Sequence, residues 1–136
     1  MKSLSAKLGV ILIGLAIFAC VNGWKLLDTK KEGVTYYSPT SIARLPKNIV
    51  RVQGRMELSI EGREKMALAF GGRYKNVSYF MFRKEFDCGE RKVRLLSEDL
   101  YSANGSVIDR MIGRPNQFTP IDPETSDYQL YKAVCK

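Results

Sequence analysis

The stretch YKNVSYFMFRKEFDC, residues 74–88, decides the fold, because no other part of the chain has so strong a strand signal. Aromatic and branched residues follow one another in it without the three- and four-residue spacing of a helix. Side chains of a strand point alternately to its two faces. We therefore expect one apolar and one charged face, with Phe80, Phe82, Phe86 and Cys88 on the first and Arg83, Glu85 and Asp87 on the second.

Two strands are predicted before this one. Residues 49–57 carry the β-branched alternation of a strand and follow a turn at residues 46–48. Residues 34–42 also have strand character. Because Pro39 within them cannot donate a ladder hydrogen bond, we expect this strand at the edge of the sheet.

Two strands are predicted after it. Residues 92–101 form a strand whose alternation breaks at Leu95-Leu96, which is typical of a β-bulge. Asn104-Gly105 then predicts a hairpin turn, because both residue types tolerate positive φ angles. Residues 106–112 return as the next strand, and residues 113–116 end it.

Two segments have helical character. Residues 61–69 could form a short helix or part of a loop, and the sequence leaves residues 59–72 undecided. Near the C-terminus, Asp122-Pro123-Glu124 supplies an N-cap residue, a proline at the first helical position and an acid in the first turn. Residues 123–134 are therefore predicted to be a helix, whose apolar side carries Tyr128, Tyr131 and Cys135 with Leu130 and Val134 beside them.

The N-terminus has the three parts of a secretory signal. Lys2 and Lys7 precede an apolar run over residues 8–19, and small residues follow as far as Gly23. The run is shorter than the roughly 20 residues of a membrane span, although a short anchor or a buried helix stays an alternative. We expect residues 1–23 to be a signal peptide and residues 24–136 to be a single domain.

Two kinds of processing fit this segment. Simple cleavage would leave Trp24 at the mature N-terminus. Alternatively, the four residues ending at Cys20 are similar to a bacterial lipobox, in which case Cys20 would be lipidated. Either outcome exports the domain to the periplasm, the outer-membrane surface or the extracellular space.

The remaining cysteines, Cys88 and Cys135, form an even pair, which in a small exported domain indicates a disulfide. Two unrelated buried thiols are the alternative. Each cysteine lies on the apolar side of its own predicted element. A Cys88–Cys135 bond would therefore clamp the final helix onto the sheet.

The chain is basic, with a net charge of +8 that falls to +6 when Lys2 and Lys7 leave with the signal. A basic surface favours anionic partners such as an acidic polysaccharide, a lipid headgroup or an acidic protein, and ordinary solubility is the alternative. Export disfavours nucleic acid. We expect contact with a membrane only through a lipid anchor at Cys20.

Few catalytic or metal-binding patterns are present in the sequence. Paired carboxylates are conceivable at Glu98-Asp99 or at Asp122 with Glu124, but adjacent strand residues point to opposite faces, and capping explains the second pair better. The chain has no histidine, which removes Ser-His and Cys-His catalysis and the commonest transition-metal ligand. Calcium loops and glycine-rich phosphate loops are also absent from the sequence. We predict no catalytic residue, no metal, no cofactor and no enzyme activity.

Five residues are candidates for binding. Arg91, Lys92 and Arg94 form the densest basic group among the predicted strands, and they indicate either an anionic ligand or a solvated strand edge. Tyr36 and Tyr74 are the tyrosines that the predicted core requires least for its packing. We therefore treat both tyrosines as candidate surface contacts.

A series of short landmarks runs through residues 24–135. They are Trp24, Tyr37 with Ser41-Ile42, Val50-Arg51-Val52, Phe86-Asp87-Cys88, Tyr101 with Gly105-Ser106-Val107-Ile108, Ile121-Asp122-Pro123, Leu130 and Val134-Cys135. In their order, their spacing and the paired cysteines, the chain resembles the surface-adhesin protein E family of exported bacterial proteins, many of them lipoproteins.

The resemblance implies an α+β fold with an antiparallel sheet of about six strands and a C-terminal helix packed on one face, tethered by the Cys88–Cys135 disulfide. It also implies a homodimer in some members, and adhesion to a macromolecule such as a host matrix protein or an anionic surface polymer. Two other functions stay open: a periplasmic envelope or structural module with one dedicated protein partner, and a small-molecule carrier that uses the sheet face beneath the helix.

Overall fold

A computed structural model describes residues 23–114 and 116–136 of the chain. Most of the predicted signal peptide, including Cys20, lies outside the described residues. The strands are β1 (Lys25–Lys30), β2 (Gly33–Tyr37), β3 (Ala43–Leu45), β4 (Ile49–Leu58), β5 (Tyr79–Asp87), β6 (Lys92–Tyr101), β7 (Val107–Ile112) and β8 (Thr119–Pro120). The helices are α1 (Ile60–Phe70) and α2 (Ser126–Val134).

One antiparallel sheet contains all the strands. Its main path runs β1-β2-β4-β5-β6-β7, while β3 pairs with β4 and β8 pairs with β6. The ladder between β4 and β5 runs without a register shift from Ile49 opposite Asp87 to Glu57 opposite Tyr79. The predicted α+β fold, with six main strands and a C-terminal helix, is confirmed.

The predicted edge strand over residues 34–42 is wrong in its place and in its length. β2 lies between β1 and β4, so that β1 occupies the edge of the sheet. The strand also ends at Tyr37, because Pro39 opens a turn of 3-10 helix over Pro39–Ser41. The hydroxyl of Ser41 stabilises this turn by donating to the Ser38 carbonyl at 2.7 Å.

The centre of the sheet follows the sequence closely. β6 has the predicted bounds, and its pairing with β5 slips at Leu96, so the predicted bulge is confirmed. β5 begins later than predicted, because Gly72–Asn76 forms a 3-10 turn first. The hairpin at Asn104-Gly105 is also confirmed, although only Gly105 has a positive φ angle, of 87°.

The two helices begin differently, since α1 has a side-chain N-cap and α2 has none. α1 resolves residues 59–72 largely as helix, and the Ser59 hydroxyl caps it by accepting from the amide of Gly62 at 3.1 Å. α2 begins at Ser126, three residues later than predicted. The Asp122 carboxylate accepts from the amide of Glu124 at 3.0 Å, so Asp122 builds a turn before the helix instead of capping it.

The core lies between α2 and one face of the sheet. It is formed by Tyr37, Val50, Val52, Phe82, Phe86, Val93, Leu130 and Val134. Fully burying each larger side chain contributes about 1.5–3 kcal/mol. Gly54 lies directly opposite Phe82, and a Cβ atom at this position would collide with the Phe82 ring. Glycine is therefore required for the close packing of the ring.

The Cys88–Cys135 disulfide joins the end of β5 to the end of α2, with the two Cα atoms 5.5 Å apart. The predicted pairing is confirmed. The Tyr131 hydroxyl strengthens the same junction by donating to the Cys88 carbonyl at 3.2 Å. At the other end of the helix, Lys84 pairs with Asp127 at 2.6 Å. Helix α2 is therefore fixed to the sheet at both ends.

Candidate functional site

The two faces of the sheet differ in what covers them. Strand alternation and register place Val50, Phe86 and Val93 in one row facing α2. The opposite side, here called the open face, is formed by Tyr36, Arg51, Gln53, Arg55, Glu57, Tyr79, Met81, Arg83, Glu85, Asp87, Lys92, Arg94, Ser97, Asp99, Tyr101 and Arg110. In the described part of the chain, Glu85 is the one buried side chain of this face.

Glu85 is held between two arginines on the neighbouring strands. Arg51 on β4 and Arg94 on β6 lie directly opposite it in the ladder. Arg51 donates from Nε to Oε2 at 2.9 Å, and Arg94 donates from Nε to Oε1 at 2.8 Å. Each arginine also brings Nη2 to the same oxygen, at 2.8 and 2.6 Å respectively. Each guanidinium therefore donates from two nitrogens to one carboxylate oxygen, and these charge-assisted hydrogen bonds engage both oxygens of Glu85.

The electrostatic balance at Glu85 favours the charged form. Burial acts to raise the pKa of Glu85, whose side chain is only 2% exposed. The hydrogen bonds from Arg94 and Arg51 outweigh burial and leave the pKa below its ordinary value. Glu85 is consequently ionised at neutral pH and fixes both guanidinium groups.

A stack of side chains crosses three strands of the open face. The guanidinium of Arg55 lies 4.0 Å from the ring centre of Tyr79, and the Tyr79 and Tyr101 rings stack with centres 4.9 Å apart. Such contacts hold aromatic side chains in one orientation. No described residue hydrogen-bonds to the hydroxyl of Tyr79 or Tyr101, so both hydroxyls are available to a partner.

Positive charge is concentrated on the open side of β4–β7. Six of the seven arginines and lysines in these four strands point to that side, and the seventh, Lys84, pairs with Asp127 on the helix side. Arg83 and Arg110 are exposed, and neither forms an ion pair with any residue that the structure describes. The open face therefore has cations that are free to meet an anionic partner.

The helix side contains a cleft of about 340 Å³ between α2, β6 and the segment after β7. Charged residues of both signs line it, among them Lys84, Glu98 and Asp127. Burial raises the pKa of Glu98, and the nearby Lys84 only partly opposes this effect. Among the described residues, this cleft is where a small-molecule carrier would have room for a ligand.

The structure separates the five predicted binding residues. Arg94 and Tyr36 lie on the open face, and Lys92, which pairs with Glu90 at 3.2 Å, lies at its end. Arg91 belongs to the turn before β6, where it adopts a positive φ angle of 54°. Strand β6 lies between β5 and the pair β7 and β8, so the alternative of a solvated strand edge is wrong for this group.

Tyr74 lies far from the other four candidates. Its hydroxyl donates to Asp109 at 2.5 Å, and Arg73 contacts the same carboxylate at 3.0 Å. These contacts join the 3-10 turn after α1 to β7. In the described structure Tyr74 therefore has a structural role, whatever it contributes to binding.

Sequence reasoning missed the residues that the open face brings together, namely Arg51, Arg55, Tyr79, Glu85 and Tyr101. Alternation along β4, β5 and β6 placed such side chains on the polar side of each strand. Only the register between the strands aligns Arg51, Glu85 and Arg94 in one row.

Neither a metal-binding group of side chains nor a membrane-spanning helix is found in residues 23–114 and 116–136. No group of carboxylate or cysteine side chains among them could hold a metal ion. No helix in the same part of the chain is both long and apolar enough to span a membrane.

Comparison with known proteins places this fold in a family. The sequence model described as surface-adhesin protein E matches residues 24–136, which is nearly the whole described chain. The chain belongs to the surface-adhesin protein E family. This is an adhesin family and not an enzyme family, in agreement with the catalytic groups missing from the sequence.

Solved structures of the family show a similar fold. One crystal form of Haemophilus influenzae protein E matches with a TM-score of 0.52 at 16% identity, covering 83% of this chain and 87% of that one. A second structure of Haemophilus influenzae protein E matches with a TM-score of 0.51 at 17% identity, covering 83% of each chain. No curated protein sequence matches this member of the protein E family.

Proposed function

We propose that this protein E family member is an exported adhesin that attaches to a macromolecule at or beyond the cell surface through its open face. The observation that carries the proposal is the unequal covering of the sheet. One face is occupied by α2 and the core, while the other displays stacked tyrosines, unpaired arginines and fixed guanidinium groups.

The open face has properties that recognition surfaces need. Tyrosine and arginine dominate the binding energy of many protein interfaces, because they combine large contact areas with polar groups. Here Arg55, Tyr79 and Tyr101 are already held against one another, so binding orders few further side chains. A sheet face that spans several strands also offers a broad contact area to a large partner.

The site of attachment requires export of the domain. We propose that residues 1–23 are a signal peptide and that residues 24–136 are the exported domain. Intact-mass analysis of protein from its native host distinguishes a mature chain beginning at Trp24 from one with a lipidated Cys20. Surface labelling of intact cells should reach the domain. Confinement to the periplasm, with no exposure at the surface, would contradict an adhesin.

A matched pair of tyrosine variants tests the role of the face. The purified protein is passed over immobilised matrix proteins and acidic polysaccharides to find a surface that it binds. Tyr79→Ala should then weaken binding by about tenfold or more, as expected for an aromatic hot spot. Tyr128→Ala on α2 is the control, because Tyr128 also stacks on a tyrosine and lies beside a lysine.

The control is expected to bind like the parent protein. Equal weakening by Tyr79→Ala and Tyr128→Ala would indicate a general loss of structure, which circular dichroism and melting temperature would reveal. Weakening by Tyr128→Ala alone would place the binding surface on the helix side and overturn the proposal.

A further inference from the structure

We infer that the partner of the open face is a sulfated polysaccharide, bound by Arg51, Arg83 and Arg94 around the buried carboxylate of Glu85. This inference rests on the proposed function and names the chemistry of the partner. Its basis is a difference in exposure: the three guanidinium groups reach solvent, whereas the carboxylate beside them is buried.

The cluster presents its cations to solvent and conceals its anion. The Glu85 side chain is 2% exposed, whereas the side chains of Arg51 and Arg94 are 39% and 23% exposed. Two guanidinium groups share this one carboxylate, and the more exposed of them belongs to Arg51. Arg83 is exposed two residues from Glu85 along the same strand and adds a further cation. The surface at this point is an anion-binding patch.

The arginines are also fixed before any ligand arrives. Arg51 and Arg94 both use Nε and Nη2 to grip Glu85. This arrangement leaves the Nη1 group of Arg51 with no partner among the described residues. The ring of Phe118 lies 4.2 Å from the Arg94 guanidinium and supports it further. A planar guanidinium held in this way binds an oxyanion with little further loss of side-chain entropy.

The cations are spread over neighbouring strands, which suits a polymer with repeated anions. Arg51 lies on β4, Arg83 on β5 and Arg94 on β6. Arg110 extends the cationic surface further, whereas Arg55 is paired with Glu57 at 3.2 Å. The hydroxyls of Tyr79 and Tyr101 also lie on this face.

A sulfated polysaccharide matches this surface better than an acidic peptide does. Its sulfate groups accept paired hydrogen bonds from guanidinium groups, and its hydroxyls can pair with the tyrosine hydroxyls. Its chain is stiff, so that less conformational entropy is lost on binding than for a flexible peptide. The uncovered sheet face leaves the arginines of three neighbouring strands accessible to such a chain.

Heparin binding tests the inference with variants of matched charge. Arg83→Gln should weaken binding by about two- to fivefold, because it removes one exposed cation. The slope of log affinity against log salt should become shallower by about one. Arg83→Lys should keep the slope. Lys75→Gln, which removes an exposed cation from the 3-10 turn after α1, should change neither quantity.

Two variants of acidic residues distinguish binding by arginines held in fixed positions from non-specific attraction to positive charge. Asp99→Asn removes an open-face acid that forms no ion pair with any residue the structure describes, and it should tighten heparin binding by about twofold. Glu85→Gln also makes the protein more positive, yet it should weaken binding because Arg51 and Arg94 lose their fixed positions. Tighter binding by Glu85→Gln would show that heparin responds to net charge alone and not to the positions of the arginines, and it would overturn the inference.

Two results distinguish this inference from the proposed function. If poly-glutamate of matched charge, or heparin with its sulfates removed, bound as tightly as heparin, a sulfated polysaccharide would be the wrong partner. Binding to a matrix protein that still depends on Tyr79 would then leave the proposed adhesin standing. If neither ligand responded to any open-face variant, both proposals would fail.

Discussion

Replacing Cys135 with serine removes the covalent link between α2 and β5 while leaving the noncovalent contacts of the helix in place. The link joins residues 47 positions apart, and chain entropy assigns a crosslink of that span about 4 kcal/mol. Measured losses fall around this figure, so we expect Cys135→Ser to lower the free energy of unfolding by about 2–5 kcal/mol. Small domains are stable by only about 5–15 kcal/mol, so the effect is large.

The variant should nevertheless fold. Leu130 and Val134 are buried in the core, and the Lys84–Asp127 ion pair and the Tyr131 hydrogen bond do not involve either sulfur. These contacts hold α2 in its native position. The loss should therefore come mainly from a less constrained unfolded chain, which also exposes more surface and raises the urea m-value.

Urea unfolding followed by circular dichroism measures both quantities. Cys88→Ser, the double variant and the reduced parent protein are the controls, because each lacks the same single bond. All should lose a similar amount of stability. An unchanged urea midpoint in Cys135→Ser would refute the role of the disulfide as a clamp, and so would a double variant that loses about twice as much as either single one.

Three further predictions concern single side chains. Gly54→Ala should cost about 1–3 kcal/mol, because the added methyl group overpacks the Phe82 ring, and the melting temperature should fall. Glu98→Gln should stabilise the protein at pH 7 and make no difference well below pH 4.5, the ordinary pKa, because burial raises the pKa of Glu98 and penalises its ionised form. The two arginines beside Glu85 outweigh burial and lower its pKa, so the ionised carboxylate adds stability above pH 4.5. This stability is lost as the pH falls through the folded-state pKa. Acid titration should show the loss in the parent protein and not in Glu85→Gln.

Much of the sheet could be predicted because its strongest strands carry local signals. The aromatic run in β5, the broken alternation in β6 and the Asn104-Gly105 turn each depend on neighbouring residues alone. β1 has no comparable signal. Its register shifts between Leu26 and Asp28, and four of its six residues are exposed, so alternation is lost.

The start of α2 shows a second limit of local reasoning. Asp122 followed by Pro123 fits the cap of a helix and equally fits a turn closed by the aspartate side chain. The structure has the turn, in which the amide and hydroxyl of Thr125 both donate to the Asp122 carbonyl. Local composition cannot decide between the two, because both satisfy the same backbone donors.

The candidate site was harder to predict than the fold. Alternation places Glu85 on the polar side of β5, where a lone carboxylate is expected to be solvated. Its burial depends on Arg51 and Arg94, which lie 34 and 9 residues away in the chain. This arrangement depends on strand register. Alternation within one strand shows which face a side chain takes, but it does not show which residue of the neighbouring strand lies beside it.

Hydroxyl-radical footprinting of the bound protein tests the use of the open face most directly. The protein is oxidised alone and in complex with the macromolecule it binds, and the modification of each tyrosine is compared by mass spectrometry. We expect Tyr79 and Tyr101 to be protected in the complex while Tyr128 is modified as before. Protection of Tyr128 with no change at Tyr79 and Tyr101 would show that the partner binds the helix side, contrary to this account.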